Sequence, residues 1–541
     1  MRTSLLEDLP SELLLHLLSF LPLPSLLSLS STCRSFHSLI ESTVLPDYAV
    51  HRLNYSPVTL SHLHSSNPRR WRWGRKAMWA ERVGLRWRDW DFTGVGFGAW
   101  DKCMPVLRLW SVGAGISGVL IARGTGIEWW VAIDERGTMD RVEVVVQGFD
   151  GPPGVHKKKR SAALDEITAL AEGARAGEVV VSRVSGVVQR LKVIDRGGSG
   201  RPIVLQETTR YAVPHADRAR PGSTAVQALD SRSGIVVSAS TTRLRPPRLR
   251  DVAPFDENDS LAHTLMKRSA PKLHQVSIHS ISSPWQPPSV IPLASKPWSV
   301  QLEPSSSTPT WLAIGQSGTT PLTLSLLDST GTPVPSSQTS LASTAKPTSV
   351  YSMTTPSLDC SPFLRPDQTL IAAFFDSTTR IYDLRVRPAG PSSCRVVSNW
   401  DDSPSSSSNE VLRLCDPWSD DPSYSVSSGG PHGAYVAVGS ARNSAVRLFD
   451  IRSVARGGGR GKSGVRGITA FGVHGDRSPV YGVRVEHSRV WAVTERSATV
   501  FNFHADASRG DREVGVAFVG HEGEGKGELR RTSRKNRVVE L

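Results

Sequence analysis

Two leucine stripes interrupted by prolines dominate the first forty residues and predict three short helices. The first stripe consists of Leu9, Leu13, Leu17 and Phe20, and the second of Leu14, Leu18 and Leu21. Because the spacings are three and four residues, each stripe occupies one helix face. Pro22 and Pro24 end the first helix and open a second, and a third is expected at about residues 33–40. A unit this small cannot bury both stripes, so the pattern predicts a docked partner, the alternative being a helical hairpin packed on its own chain.

Short β-branched and aromatic runs replace this helical pattern from about residue 111 onward. Turn residues separate the runs, which predicts a mainly β domain of short strands. A stretch at about 162–172 has some helical character and is expected to cap a loop before Gly173. The 45 glycines and 37 prolines among 541 residues also disfavour long helices.

An eight-residue unit recurs three times in the last third of the chain. Its copies are DSTTRIYD at 376–383, NSAVRLFD at 443–450 and ERSATVFN at 495–502. Each copy follows a run rich in small residues and ends in an aliphatic residue, an aromatic residue and Asp or Asn. The unit predicts a tight hairpin with the first residue at its tip and the aromatic ring packed against the next sheet.

The recurring unit resembles the repeat of WD-repeat β-propellers. Tyr382-Asp383 and Phe449-Asp450 stand where that family has Trp-Asp, although no copy has Trp-Asp itself and the Gly-His signature is reduced to His474-Gly475. The resemblance implies a WD-repeat-like β-propeller over residues 111–505. It would have about seven blades, with six or eight also open. A pair of β-sandwiches is the alternative fold.

The N-terminal helices resemble an F-box over residues 5–40. The matching motifs are Leu9-Pro10, Glu12-Leu13, Phe20-Leu21, Leu26-Leu27 and Cys33-Arg34-Ser35-Phe36. The resemblance implies an F-box domain at 1–45 that binds the Skp-type adaptor of a cullin–RING ubiquitin ligase. The positions that face the adaptor in this family correspond here to Leu9, Pro10, Leu13, Leu17, Leu21 and Leu26.

Residues 46–110 form a connector that is rich in tryptophan and arginine, with seven of the 15 tryptophans of the chain. A helix at about 75–83 would pack the connector onto the next domain through buried indoles and arginine stems. Stacking of nucleic-acid bases on the same side chains is the alternative. Residues 506–541 are expected to be a partly disordered basic tail.

The chain carries a formal net charge of +14, mostly from arginine. Because guanidinium forks match phosphate and carboxylate groups, this charge suggests an acidic or phosphorylated protein substrate. The basic run Lys157–Arg160 is a candidate nuclear import signal, and a solvated loop explains it nearly as well. We expect the chain in the cytoplasm, the nucleus or both.

Several short motifs resemble nucleotide-binding or metal-binding sites, but the residues around them do not fit such a site. Gly113–Gly118 has the G-x-G-x-x-G spacing, but a strand-like run follows where a dinucleotide site needs a helix. Gly461-Lys462-Ser463 lacks the rest of a P-loop, and His62 and His64 lack a third metal ligand. The five cysteines include no C-x-x-C pair, and no export signal or membrane span is found. We therefore expect a non-catalytic protein with no cofactor, no metal and no membrane partner.

The endings Asp383-Leu384-Arg385 and Asp450-Ile451-Arg452 leave a second ligase route open. They resemble the Asp-x-Arg ending of WD-repeat receptors of a different cullin ligase, although the same residues commonly tie a blade together. With an F-box present, we expect the substrate-recognition subunit of an SCF-type ligase, in which the propeller binds the protein substrate. The alternative is a nuclear or nucleic-acid-associated WD-repeat scaffold, which leaves the F-box unexplained.

Overall fold

The fold consists of a small helical unit, a connecting helix and a ring of β-sheets. We describe it from a computed structural model of the chain. The residues that the structure describes are 9–49, 73–89, 92–100, 103–111, 117–132, 139–147, 166–173, 175, 177–195, 202–211, 219–244, 272–304, 308–335, 337–356, 364–385, 409–416, 419–452, 467–471 and 478–503.

The helical unit matches the three helices expected from the leucine stripes. A fourth, very short helix and a longer connecting helix follow. The helices are α1 (Ser11–Ser19), α2 (Leu23–Ser30), α3 (Arg34–Leu39), a π-helical turn (Ile40–Val44), α4 (Leu45–Asp47) and α5 (Trp73–Arg88). A 3₁₀ turn also occurs at Pro431–Gly433.

The remainder of the described chain is built from short strands. The strands are β1 (Thr93–Ala99), β2 (Val106–Ser111), β3 (Ser117–Arg123), β4 (Gly126–Ala132), β5 (Met139–Gln147), β6 (Ile167–Glu172), β7 (Glu178–Arg183), β8 (Val188–Asp195), β9 (Ile203–Tyr211), β10 (Ala219–Arg232), β11 (Ile235–Leu244), β12 (Lys272–Ser280), β13 (Ser289–Leu293), β14 (Pro297–Leu302), β15 (Trp311–Gly318), β16 (Leu322–Leu326), β17 (Thr339–Ala342), β18 (Thr348–Thr354), β19 (Thr369–Phe374), β20 (Thr378–Asp383), β21 (Glu410–Cys415), β22 (Ser423–Gly429), β23 (Tyr435–Ser440), β24 (Ala445–Asp450), β25 (Gly467–Phe471), β26 (Gly482–Val485), β27 (Arg489–Val493) and β28 (Ser497–Asn502).

These strands form seven blades, each a four-stranded antiparallel sheet, so the chain is a β-propeller of the size expected from the repeat spacing. Blades 1 to 6 follow chain order as β2–β5, β6–β9, β10–β13, β14–β17, β18–β21 and β22–β25. Blade 7 contains β26–β28 and takes its fourth strand, β1, from before blade 1. The outer strands of blades 1 and 2 also pair with each other, in parallel, through β5 and β9.

The first strand of each blade lies innermost and contacts the first strand of the next blade. This contact runs from β2 through β6, β10, β14, β18, β22 and β26 and returns to β2, so the ring is closed. Serines bond neighbouring blades together at this level. The Ser299 hydroxyl donates to the Val350 carbonyl at 2.9 Å, and the Ser425 hydroxyl donates to the Val480 carbonyl at 2.8 Å. These bonds satisfy polar groups that the ring buries.

All three recurring units form the predicted hairpins. They lie between the second and third strands of blades 5, 6 and 7. Each turn follows a strand of small residues, and the Asp376 carboxylate accepts the Thr378 N–H at 3.2 Å across one tip. The aromatic residues Tyr382, Phe449 and Phe501 are buried as expected. That these blades derive from WD repeats stays a prediction.

The propeller begins earlier than the expected residue 111. Strand β1 and all of β2 except its last residue lie within the segment assigned to the connector, because their glycines and tryptophan obscured the strand pattern. The stretch around residue 167 is also a strand, β6, rather than a helical cap. Its Leu170 and Ala171 are buried between blades, where tertiary packing overrides the helical preference of the sequence.

Several features of the sequence lie outside the described residues, and their interpretation stays a prediction. They are the basic run Lys157–Arg160, the Gly461-Lys462-Ser463 stretch, His62 and His64, and the tail at 506–541. Of the Gly113–Gly118 motif, the described part is the start of β3, which is a strand as expected.

Candidate functional site

The helical unit folds around a core built from one face of each helix. The buried apolar side chains of this core include Leu14, Leu18, Leu23, Leu26, Phe36 and Ile40. The Cys33 thiol begins α3 by accepting the Phe36 N–H at 3.5 Å. The core therefore uses Leu14 and Leu18 of the second leucine stripe, whereas Leu13, Leu17 and Phe20 of the first stripe are exposed.

The outer face of α1 is apolar and exposed. The exposed fractions are 54% for Leu13, 50% for Leu17 and 65% for Phe20. These positions are three and four residues apart, so their side chains share one helix face. Three large apolar side chains on one exposed face are the kind of surface that a partner protein covers.

A groove of about 600 Å³ adjoins this face. It lies between α1 and the segment of the π-helical turn and α4. Its lining residues are Leu15, Ser19, Phe20, Thr43, Val44, Asp47 and Tyr48. Phe20 belongs to both the exposed face and the groove, so the two form one continuous apolar surface.

The structure divides the six residues expected to face an adaptor into three classes. Pro10, Leu13 and Leu17 are exposed, and Leu9 and Leu21 are half-buried against the core. Leu26 has no exposed area and belongs to the core, so its assignment to the binding surface is corrected. Phe20, which was not among the six, is the residue that caps the C-terminal end of α1 and is more exposed than Leu13 and Leu17. Its place in the first stripe was the signal that should have included it.

Helix α5 fastens this unit to the propeller. At its start, the Gly74 N–H donates to the Glu41 carboxylate, at 3.2 Å to Oε1 and 3.4 Å to Oε2. A Cβ at Gly74 would lie 3.0 Å from both Glu41 and Leu27, so only glycine permits this close approach without displacement. Ala77, one turn later, is buried in the core of the helical unit.

The second half of α5 belongs to the core of the propeller. Ala80, Val83 and Trp87 are buried together with side chains of blades 6 and 7. The helix is longer than the expected stretch of about 75–83, because it serves both cores. The two units are thus joined by one continuous helix that is packed at both ends.

Two tryptophans of the connector are committed to packing. Trp87 has no exposed area, and Trp110 is 2% exposed and donates from Nε1 to the Glu178 carbonyl at 3.4 Å. Neither ring is accessible for stacking on a nucleic-acid base, which supports the packing interpretation of the connector at these two positions.

The two Asp-x-Arg endings form local ion pairs. The guanidinium of Arg385 bonds to the Asp383 carboxylate two residues earlier, and this hydrogen bond lowers the pKa of Asp383. Arg452 bonds to Asp450 at 2.7 Å and to the Tyr435 hydroxyl at 2.6 Å. At both sites the arginine ties the end of a blade strand to its own loop.

Other classes of site were sought within the described ranges. No three His, Cys, Asp or Glu side chains there come together as a metal site. No helix in the same ranges is long and apolar enough to span a membrane.

Comparison with known protein families decides the nature of the helical unit. Residues 6–45 match the F-box-like family. This segment is an F-box-like domain. The match covers α1–α3 and the π-helical turn and does not extend into the propeller, and no curated protein matches the chain. F-box domains generally bind Skp-type adaptors, and α1 of this F-box-like domain has an exposed apolar face.

Proposed function

We propose that this protein is the substrate-recognition subunit of an SCF-type cullin–RING ubiquitin ligase. The observation that carries the proposal is the exposed apolar face of α1 within an F-box-like domain. Through Leu13, Leu17 and Phe20 the domain binds the Skp-type adaptor, and through it the cullin. Burial of these side chains supplies the binding energy, because each leaves water on contact.

The propeller is the substrate-binding part of this proposal. Helix α5 supports it, because a helix packed into both cores holds the propeller at a fixed distance from the adaptor. A fixed distance serves a ligase, since the ubiquitin-carrying enzyme must reach a lysine of the substrate. In this role the protein is a non-catalytic adaptor that acts in the cytoplasm, the nucleus or both.

The test is copurification of the full chain with a Skp-type adaptor, followed by measurement of the dissociation constant. The variant Leu13→Asp/Leu17→Asp places two carboxylates on the exposed face of α1. We expect binding to weaken at least about a hundredfold, because each leucine contributes about 1.5 kcal/mol or more when buried. Both positions are exposed in the free protein, so the fold should persist, which circular dichroism would verify.

The matched control is Val411→Asp on β21, the outer strand of blade 5. Val411 is 58% exposed, like the two leucines, but lies on the propeller. The control should bind the adaptor as the wild type does. Absence of adaptor binding by the wild type, or equal binding by the double variant, would refute the proposal.

A further inference from the structure

Four aromatic rings form a continuous arc along the innermost strands of blades 4 to 7. The residues are Trp298, Tyr351, Tyr424 and Tyr481, which lie on or directly before β14, β18, β22 and β26. Successive ring centroids are 4.7 Å, 4.9 Å and 5.4 Å apart. Each ring therefore contacts the ring of the next blade, and we call these four residues the aromatic arc.

The aromatic arc and the F-box-like domain lie on opposite faces of the propeller. Phe375, at the tip of the blade 5 hairpin, packs against Tyr351 with ring centroids 5.5 Å apart, so the arc lies on the face of the hairpin tips. Trp87 of α5 instead contacts Tyr435, which begins β23, and Phe503, which directly follows β28. Both residues lie at the ends of their strands that are remote from the hairpin tips. The arc therefore faces away from the adaptor-binding helix.

The arc combines accessible ring surface with hydroxyl donors. All four rings are half-buried, and the adjoining Phe375 is 44% exposed. In the part of the chain that the structure describes, the hydroxyls of Tyr351 and Tyr424 have no hydrogen-bond partner. Burial raises the pKa of both hydroxyls, so they stay protonated near neutral pH and can donate. The arc therefore suits a ligand with apolar rings and hydrogen-bond acceptors.

The charges at one end of the arc disfavour a cationic ligand. The Lys296 ammonium lies 3.5 Å from the centroid of the Trp298 ring and already occupies a face of that ring. Burial lowers the pKa of Lys296, and the positive charge of Lys272 lowers it further, so the two lysines are close. A second cation on this ring would be repelled by both lysines, although aromatic faces otherwise attract cations. Carbonyl acceptors meet no such repulsion.

We propose that the aromatic arc binds a proline-rich segment of a partner protein in the polyproline II conformation. Proline rings pack on aromatic side chains, and proline residues offer carbonyl acceptors without N–H donors. The ring faces of the arc and the hydroxyls of Tyr351 and Tyr424 provide the complement. Polyproline II rises 3.1 Å per residue, so roughly five residues lie along the three ring-to-ring distances. The proposal rests on the proposed function in one respect, since it names the class of segment that the propeller recognises in a substrate.

The experiment measures binding of decaproline to the full-length chain by isothermal titration calorimetry. We expect Tyr351→Ala to bind at least about tenfold more weakly than the wild type, because a ring in the middle of the arc and its hydroxyl are lost. Tyr351→Phe keeps the ring and removes one donor, so we expect binding about two- to tenfold weaker. The phenylalanine variant keeps the test decisive if thermal melting shows that Tyr351→Ala is poorly folded.

The matched control is Trp285→Ala, which removes an aromatic side chain that is 80% exposed. Trp285 lies in the loop between β12 and β13, on the face opposite the arc, so this variant should bind decaproline as the wild type does. Two further peptides of ten residues test the ligand class: one alternates glutamate with glycine, and the other carries a trimethyl-lysine among glycines and serines. Both should bind more weakly than decaproline.

Three results would overturn the proposal. They are no binding of decaproline at millimolar concentration, equal binding by the Tyr351 variants and the wild type, and binding of either other peptide as tightly as decaproline. Adaptor binding uses α1 and is measured separately, so each of these results leaves the proposed ligase function standing. Loss of adaptor binding would in turn leave recognition of proline-rich segments by the arc intact.

Discussion

The indole ring of Trp87 stacks on the phenyl ring of Phe503, with ring centroids 3.9 Å apart and planes inclined by 13°. Trp87 belongs to the helix that carries the F-box-like domain, and Phe503 directly follows the last strand of the propeller. The ring of Tyr435 in blade 6 lies 4.6 Å from the same indole. The helix that follows the F-box-like domain therefore packs against blades 6 and 7, the last two blades in chain order, and not against blade 1.

Removing this indole should loosen the attachment. We expect Trp87→Ala to lower the free energy of unfolding by about 3–5 kcal/mol, because it leaves a cavity in a shared core. Urea denaturation would measure the loss, and small-angle scattering would report a wider spread of distances between the two units. Leu85→Ala on the same helix is the control, since Leu85 is 41% exposed and should cost far less. Equal effects of the two substitutions would show that Trp87 does not anchor the helix.

Closure of the ring should depend on β1. Phe97 of this strand is 4% exposed and packs against Trp130 of blade 1 and Trp491 of blade 7, with centroids 4.9 Å and 5.8 Å away. We expect Phe97→Ala to cost about 3–5 kcal/mol. It should also hasten limited proteolysis within blade 7, because the edge of β28 loses its cover. Phe375→Ala, at a ring that is 44% exposed, should change neither measurement by a comparable amount.

Acid should destabilise blade 3 through a buried histidine. Burial lowers the pKa of His279 to about 4, and the ring stands near Tyr211 with centroids 5.2 Å apart. In the unfolded chain the pKa is about 6.5, so the unfolded state binds a proton that the folded state does not. The free energy of unfolding should therefore fall by up to about 3 kcal/mol as the pH drops from 6.5 towards 4.

Replacement of this histidine tests the assignment. In His279→Gln the fall in stability between pH 6.5 and pH 4 should be shallower than in the wild type, as measured by urea denaturation at several pH values. His16→Gln replaces an exposed histidine and shows whether loss of any histidine has this effect. An unchanged slope in His279→Gln would assign the acid sensitivity to other groups.

The hairpins of blades 5 to 7 could be predicted because each carries its turn, its strand and its aromatic residue within one short segment. A second repeat was missed. Innermost strands of blades 4 to 7 share an aromatic residue followed by serine or glycine and then an apolar residue: Trp298-Ser299-Val300, Tyr351-Ser352-Met353, Tyr424-Ser425-Val426 and Tyr481-Gly482-Val483. Neighbouring rings of this set contact one another, Tyr351 and Tyr424 with centroids 4.9 Å apart. A motif of three residues is too short to be noticed without knowing that blades align there.

The exposed leucines of the helical unit could be predicted only in part from the sequence. The leucine spacing placed Leu13 and Leu17 on one face of α1, but it could not separate the buried Leu26 from them, since both faces of the first two helices are apolar. Charge composition indicated an anionic partner without showing where it would bind.

The pairing of β1 with β28 has a consequence for the order of biosynthesis. A chain leaves the ribosome N-terminal end first, so the F-box-like domain and α5 emerge before any blade exists. The partner of β1 and the ring of Phe503 emerge only after all the other strands that the structure describes. In a chain whose synthesis stops before β28, the propeller ring is therefore open. Helix α5, which follows the F-box-like domain, then lacks part of the surface against which it packs. The F-box-like domain can therefore be held firmly on the propeller only after β28 and Phe503 have been synthesised.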